Sequence, residues 1–534
     1  MNWISYNVCD KFFLKKVKSC FSSCNTSVFF LNLCLMQLAS CAKPTAYDQV
    51  VEYYAHDSLK HEAAIFLQKY SKYHYGIARN ILDANGKPST LSPKMFATDT
   101  IYRAYLDSLH YQLKKGDPVM DEDTVTEEYL VKNIEMAFDS WNKPWAKNLS
   151  FDEFCHYILP YRNGDEDLSD WRSYLKQKYE HLITDSLMQN ANTKDLAEFM
   201  MRQIRKNVKY GTQFNRLIQG FLTPKETEKL GALECKACAN YATMVMRACG
   251  IPCEVIEMRW RFTEVPHSSV LFPKTANNPR PFRLTIGDSL TYMGEPKDTM
   301  ATYRTWAYTY EVNKDLMDLA RDKDVPRKFW QPLFRNDVTS LMCTTYDMQL
   351  PVPDSLKIKN YLFLCRFDNW EWYPIREGKV MEDSVVFKNA TIRQLYRLGY
   401  AKDGKVKTFG GLFTLLGNGK VKEFDQTGEV LRFKMPYFCD TTETRLFRKI
   451  TTYCWTPNHK WKAYVRNAPL WGFNQKTGEY KRFDESMRGA FVPVFHLCEM
   501  DMPAWTVFYN NEMGRPIGFV RIDKATNEGE LMDF

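Results

Sequence analysis

Three residues could carry covalent chemistry in this chain: Cys235, His267 and Asp288. Cys235 lies near the start of Leu-Glu-Cys-Lys-Ala-Cys-Ala-Asn-Tyr-Ala-Thr-Met-Val-Met-Arg-Ala-Cys-Gly-Ile-Pro-Cys, residues 233–253. In that run Ala237, Tyr241, Met244, Val245 and Ala248 recur at spacings of three and four, which is one face of a helix. Gly250 ends the helix and Pro252 prevents it restarting. Cys235 then falls in the first turn, where unpaired N–H groups and the helix dipole favour a thiolate. His267 sits in the strand-like run Val-Pro-His-Ser-Ser-Val-Leu-Phe, and Asp288 ends Arg-Leu-Thr-Ile-Gly-Asp. Cys, His and Asp in this order supply a nucleophile, a general base and a group that orients the base. The chemistry is acyl transfer: Cys235 attacks a carboxamide or peptide carbonyl, and His267 takes the thiol proton and returns it to the leaving amine. N–H groups at the helix start, that of Cys235 included, would hold the oxyanion. Water or an amine resolves the acyl-enzyme, and the residues do not choose between them. Glu264 and Glu295 are substitutes for Asp288, and Asn240 and Tyr241 read as packing residues.

The elements that must position these residues follow from pattern. Strand candidates at 253–262, 267–272 and 282–287 come after the helix, giving one helix against an antiparallel sheet, an α+β layer arrangement. Ahead of it, segments near 46–82, 97–115, 124–142 and 166–208 read as helices rich in Leu, Tyr, Lys and Glu, and Thr124-Val-Thr-Glu127 fits a capping box. Cys155 and His156 are adjacent, about 100° apart on a helix, so they read as a core cysteine and a satisfied histidine. From Asp337 onward short aromatic and β-branched runs alternate with Gly and Asn-Gly turns. Tyr361-Leu-Phe-Leu-Cys-Arg-Phe…Trp370-Glu-Trp-Tyr-Pro is similar to Ile450-Thr-Thr-Tyr-Cys-Trp…Trp461-Lys-Ala-Tyr-Val. Two related β-sandwiches of roughly 90 residues each are therefore expected. Trp370, Trp372, Trp455, Trp461 and Trp471 are either their cores or a platform for sugar rings.

Here the motif becomes specific. Glu-Cys-x-x-x-Ala-Asn-Tyr…Met-Arg-Ala-Cys-Gly-Ile-Pro-Cys resembles the nucleophile helix of the transglutaminase-like superfamily, above all the branch found in lipoproteins of Gram-negative bacteria. That branch places its nucleophile fifteen residues before the Gly of Gly-Ile-Pro, which selects Cys235 over Cys238. The family's histidine usually stands in His-Ser-Trp-Asn; here it is His267-Ser268-Ser269-Val270. The two residues after the nucleophile are often acidic in the family and are Lys236 and Ala237 here. Phe151–Arg162 followed by Asp170-Trp-Arg172 resembles the family's pre-catalytic region, and Tyr161, Arg162 and Trp171 are the residues it would bring to the approach of the site. The resemblance implies a papain-like α+β core closed by residues 300–310, C-terminal β-sandwiches, and no cofactor or metal. Some family members use calcium, but no Asp/Glu loop here has the spacing of a calcium site.

The expected architecture is thus α+β: a signal segment at 1–40, a helical region at 41–200, a transglutaminase-like core at 201–320, and β-sandwiches at 336–430 and 431–534. Lys11, Lys15, Lys16 and Lys18 precede the apolar run Ser27–Met36 and then Leu38-Ala-Ser-Cys41, the pattern of an export signal ending in a lipobox with Cys41 as the lipidated residue. The run is short for a spanning helix. The long stretch before the lysines leaves the true initiator Met open. An acyl-anchored protein of the cell envelope is expected, on the outer membrane, facing the periplasm or the cell surface. The chain carries a net charge of +8, and residues 1–40 hold four lysines and one aspartate of it. The rest is mildly basic with no dense cluster, so no nucleic-acid partner is expected. Expected partners are a peptide, protein or glycopeptide substrate, with glycan as a further ligand. Cys235, Cys238, Cys249 and Cys253 do not make a zinc site: a continuous helix separates Cys235 from Cys249 by about 21 Å, whereas zinc ligands lie ~2.3 Å from one ion. A thioredoxin-type Cys-x-x-Cys lacks its strand and downstream context. The functional expectation is a Cys-His-Asp hydrolase or acyltransferase; the alternative is a catalytically inactive surface protein that uses the same scaffold to hold glycan or protein.

Overall fold

The computed structural model describes residues 44–423 except 84, 86, 88–98, 111, 185–191, 212–219, 261–265, 288–289, 294–301, 369–370, 393, and, beyond 423, ten strands between Val430 and Asp533 without their side chains. The signal segment and Cys41 lie outside the described residues. So do Asp288, Glu264, Glu295 and Trp370, and the side chains of Trp455, Trp461 and Trp471.

The front of the chain is helical, as its composition suggests, in shorter pieces. The helices are α1 (Ala46–Tyr53), α2 (Ser58–Tyr70), α3 (Asp99–Ser108), α4 (Asp121–Thr124), α5 (Glu127–Trp141), α6 (Phe151–Tyr157), α7 (Trp171–Tyr179) and α8 (Thr193–Asn207). Each break has a local cause. Asp57 caps α2 by accepting from Lys60 N–H, so the expected single helix over 46–82 is split, and its end becomes strand at Tyr75–Gly76 and Arg79–Leu82. The end of the 97–115 segment is likewise a strand, Gln112–Lys115, paired with Arg79–Leu82. The capping residue of α5 is Thr126, which accepts from Tyr129 N–H, rather than Thr124. Thr124 instead closes α4, a turn that exists to bury Asp121. Ser150 and Glu153 form a capping box on α6.

After α9 (Pro224–Leu230) comes α10 (Cys235–Ala248), whose residues from Ala237 to Ala248 are all buried. It lies on a six-stranded antiparallel sheet: β1 (Glu254–Trp260), β2 (His267–Phe272), β3 (Phe282–Leu284), β4 (Thr291–Tyr292), β5 (Thr302–Tyr308) and β6 (Arg335–Asp337), in the order β4-β3-β2-β1-β5-β6. Successive strand residues face opposite sides. Val255, Val270, Phe272, Phe282 and Leu284 pack with α10 and the helical front in one core that runs from Tyr47 to Phe334. Ile256, Met258, Leu271, Met293 and Ala307 pack on the other face with Met342. Residues 41–200 and 201–320 thus share a single hydrophobic core.

The next module departs from a sandwich. β7 (Thr345–Pro351), β8 (Tyr361–Asp368), β9 (Glu371–Met381), β10 (Ser384–Thr391), β11 (Leu395–Lys402), β12 (Lys405–Leu415) and β13 (Val421–Glu423) form one continuous antiparallel sheet in the order β7-β10-β9-β8-β11-β12-β13. It is curled on itself. Leu362 and Leu364 face its interior with Phe387 and Phe413, while Phe363 and Cys365 face outward onto α11 (Lys314–Arg321) through Leu316 and Leu319. One sheet that curls buries one face without a second sheet, and α11 covers the other. The two similar sequence stretches both become hairpins: Phe367 pairs with Trp372, and Trp455 with Trp461. Their surroundings differ, because the second hairpin belongs to a separate three-stranded sheet.

Two interactions of this frame are testable. Gly250 has φ +75°, and a Cβ there would overlap the Ser140 carbonyl oxygen. Gly250→Ala should therefore destabilise the protein by about 1–3 kcal/mol from the backbone conformation alone, seen as a lower melting temperature. His156 in α6 bonds the Asp152 carbonyl at 2.7 Å and Glu311 Oε2 at 2.8 Å. Two acceptors require both ring nitrogens to carry hydrogen, and the Glu311 bond, against burial, raises the imidazole from 6.5 to about 9. The same bond lowers Glu311 from 4.5 to about 2. A raised His stabilises fully below 6.5 and loses that stability as pH rises through 9; a depressed Glu stabilises above 4.5 and loses it as pH falls through 2. The melting-temperature difference between wild type and His156→Gln should be greatest near pH 5–6 and shrink toward pH 9. Buried His74, pushed down to about 4 by desolvation, titrates in both proteins and cancels in the difference.

Candidate active site

The site is built at the N-terminus of α10. The strand Ala232–Leu233 pairs in parallel with Lys209–Tyr210 and delivers Glu234 to the cap position. The Glu234 carboxylate accepts the N–H groups of Lys236 at 2.7 Å and Ala237 at 3.1 Å, and also that of Gly220 at 3.1 Å. Cys235 is the first helical residue. Its Sγ lies 3.6 Å from Glu234 Oε2 and 3.8 Å from the Pro266 carbonyl, and the Ser268 N–H points to the sulfur.

Cys235 and His267 border one cavity of about 20 Å³, together with Tyr210, Cys238, Thr285 and Gly287. That is room for about one water. A Cβ on Gly287 would touch the Tyr210 ring at 3.4 Å, so this wall is closely packed. Asp288 follows Gly287 directly in sequence and lies outside the described residues. The pleat of β2 decides how His267 approaches. Val270 and Phe272 pack toward α10 and Leu271 packs on the far face. His267 pairs with Met258 and alternates with Ser268, so it belongs to the far-face set and reaches the cavity as the first residue of the strand, at the sheet's rim.

The electrostatics differ from the sequence expectation. Burial first, and then the Glu234 charge, push the Cys235 thiol up to about 12, against the Ser268 N–H and Lys236. The helix start does bind an anion, but the anion is Glu234. Cys238 is also raised, again by burial first and then by Glu234. Both thiols rest protonated.

Sequence reasoning missed the pair beside them. Lys236 Nζ lies 2.5 Å from Glu257 Oε2, and Arg259 lies 2.7 Å from Glu257 Oε1. Burial alone would raise Glu257, but Lys236 and Arg259 hold it down at about 2. Lys236 is therefore the partner of a carboxylate on β1. The spacing of Glu254, Glu257 and Arg259 in an otherwise apolar strand was the available signal.

Tyr161, Arg162 and Trp171 are not at the cavity. They are 1%, 3% and 3% exposed. Arg162 makes a two-pronged pair with buried Asp121 through Nε at 2.7 Å and Nη2 at 2.5 Å. Tyr161 donates to Asp121 at 2.6 Å and meets the Tyr47 hydroxyl at 2.7 Å, and Trp171 Nε1 donates to the Tyr161 carbonyl at 2.7 Å. The polar atoms are spent on internal partners, so these residues form the joint between the helical front and the core, not a substrate wall. Asn240 and Tyr241 pack as expected: Asn240 bonds Leu222 and Asn163, and Tyr241 bonds Glu228. Cys155 is buried, with its thiol pushed up to about 12 by desolvation. No group of His, Cys, Asp and Glu among the described residues is arranged to hold a metal. No described helix is long and apolar enough to cross a membrane.

One substitution tests the electrostatic account. Glu234→Gln keeps an acceptor for the helix cap and removes the charge beside the sulfur. Its Cys235 should react with iodoacetamide faster at pH 8, by about tenfold for each pKa unit recovered, as read by mass spectrometry of the alkylated peptide. No protein-family model matches this chain, and no curated protein matches it.

Proposed function

We propose that this chain is an exported, lipid-anchored cysteine enzyme of the transglutaminase-like kind, which hydrolyses or transfers an amide acyl group of a peptide, protein or glycopeptide. The observation that carries the reading is the shared cavity: Cys235 at the first position of a buried helix and His267 at the first position of the neighbouring strand border the same space. Because the thiol rests protonated, the nucleophile is made during attack. Cys235 Sγ adds to the carbonyl carbon as His267 takes its proton, and His267 then returns the proton to the leaving amine. Asp288 is the orienting group by its place after Gly287. The N–H groups of Lys236 and Ala237 are committed to Glu234, so the oxyanion draws on the N–H of Cys235 itself. The water-sized cavity suits the hydrolytic water; admitting an acyl group requires the wall of Tyr210 and Gly287 to part. Export and acylation at Cys41 belong to the same proposal and rest on the lysine-rich start, the apolar run and Leu-Ala-Ser-Cys.

A second reading has its own observation. The Glu234 carboxylate 3.6 Å from Sγ and the far-face register of His267 suit a scaffold whose cysteine is inert. Such a protein would hold glycan or protein at the cell envelope without turning it over. Alkylation of Cys235 across pH separates the two. For the enzyme, labelling at neutral pH slows at least several-fold in His267→Ala, and a panel of peptide amides contains a substrate that Cys235→Ala does not turn over. Equal labelling rates in wild type and His267→Ala, with no amide turned over, would leave only the scaffold.

A further inference from the structure

We propose that Cys235 and Cys238 form a reversible intramolecular disulfide across the first turn of α10, a dithiol site that takes a small disulfide such as oxidised glutathione as its oxidant. The two cysteines are the first and fourth residues of the helix and border the same cavity. Helix geometry sets their Cα atoms about 5 Å apart, inside the span of about 4.4–6.8 Å that disulfides bridge.

Nothing strong holds the sulfurs apart. Cys238 Sγ meets the carbonyl oxygens of Leu233 at 3.6 Å and Lys209 at 3.7 Å, and Cys235 Sγ meets Pro266 at 3.8 Å, Glu234 at 3.6 Å and the Ser268 N–H. Thiols are weak donors, so little is lost when these contacts go. Among the described free cysteines only Cys235 is not buried, which makes it the point of entry. Cys249, about 21 Å along the helix, cannot compete for it. A Cys-x-x-Cys that acts as an oxidant depends on a stabilised reduced form. Here burial and Glu234 disfavour both thiolates, so the pair suits a disulfide that persists rather than one that is passed on.

The exchange balances. Cys235 thiolate attacks one sulfur of oxidised glutathione and releases one glutathione thiolate. Cys238 then attacks Cys235 Sγ in the mixed disulfide and releases the second. Two protein thiols are oxidised, one glutathione disulfide is reduced to two thiols, and the two protein protons end on them. Closing the bond occupies the Cys235 sulfur. The disulfide itself stands on geometry; that it switches off turnover rests on the acyl-transfer reading above.

The sequence supplies a clean assay, because Lys236 lies between the two cysteines. The purified chain is refolded from urea through a glutathione redox buffer, so access to the cavity is not limiting. Remaining thiols are blocked with iodoacetamide and the protein is cut with trypsin. The expected product is Leu230–Lys236 joined to Ala237–Arg247, lost on dithiothreitol. In Cys238→Ala, Cys235 should carry glutathione instead. Recovery of the two peptides unlinked from protein with native circular dichroism, each alkylated or glutathionylated, would overturn the proposal. His267→Ala must still give the linked peptides, so a failure of the catalytic reading is seen separately as absent amide turnover with the disulfide intact.

Discussion

The structure depends on burying one helix along most of its length, from Ala237 to Ala248. From Ala237 to Ala248 every residue of α10 is buried, so the backbone groups at its ends find partners inside the protein. At its C-terminal end Ser140 Oγ donates to the Ala248 carbonyl and Trp145 Nε1 to the Cys249 carbonyl, both at 2.9 Å or less. Arg247 turns back to the Cys253 carbonyl. At the N-terminal end Glu234 takes the first amides. These partners come from α5, the following loop and the segment before the helix, which is why the helical front and the sheet share a core. Arg172 extends the logic. It is buried and donates to the carbonyls of Ile158, Leu159 and Pro160, where the chain leaves α6 without a regular partner.

The same requirement fixes the character of the site. A helix start contributes ~0.3–1 kcal/mol toward an anion. A carboxylate 3.6 Å from the sulfur opposes a thiolate by roughly 4 kcal/mol at an effective dielectric near 20. Burial, the larger cause, and the Glu234 charge together outweigh the dipole. Position in a helix is therefore a poor guide to cysteine reactivity unless the capping residue is read with it. The residue next to Cys235 on the other side is as constrained: Lys236 is held by Glu257, so the first turn is pinned to both the preceding segment and β1.

What was legible in the sequence follows from locality. The apolar spacing of 237–248, the stop at Gly250 and Pro252, and β2 over 267–272 are all set by neighbours in sequence, and they stand where the pattern puts them. That Cys235 and His267 border one cavity accords with the order of helix and strand. What could not be read depends on distant partners. Tyr161, Arg162 and Trp171 are residue types that serve ligand sites and buried joints equally well; only Asp121, forty-one residues upstream of Arg162, decides between them. The single curled sheet after residue 344 was hidden for a related reason. Alternation announces strands, but whether they fold into one sheet or two depends on pairings such as β8 with β11, which skips two intervening strands.

Glu234 sets both the helix cap and the charge beside the sulfur. Losing a cap of this kind costs about 0.5–2 kcal/mol. A chain that replaced the residue with an apolar one to free the thiolate would leave the amides of Lys236 and Ala237 without their acceptor. A neutral acceptor would keep those bonds and release the sulfur, yet this chain has a carboxylate. The proton therefore rests on Cys235, and His267 borders the same cavity at the rim of the sheet. The cysteine and the cap are consecutive residues whose electrostatic demands conflict, and the structure resolves the conflict in favour of the helix.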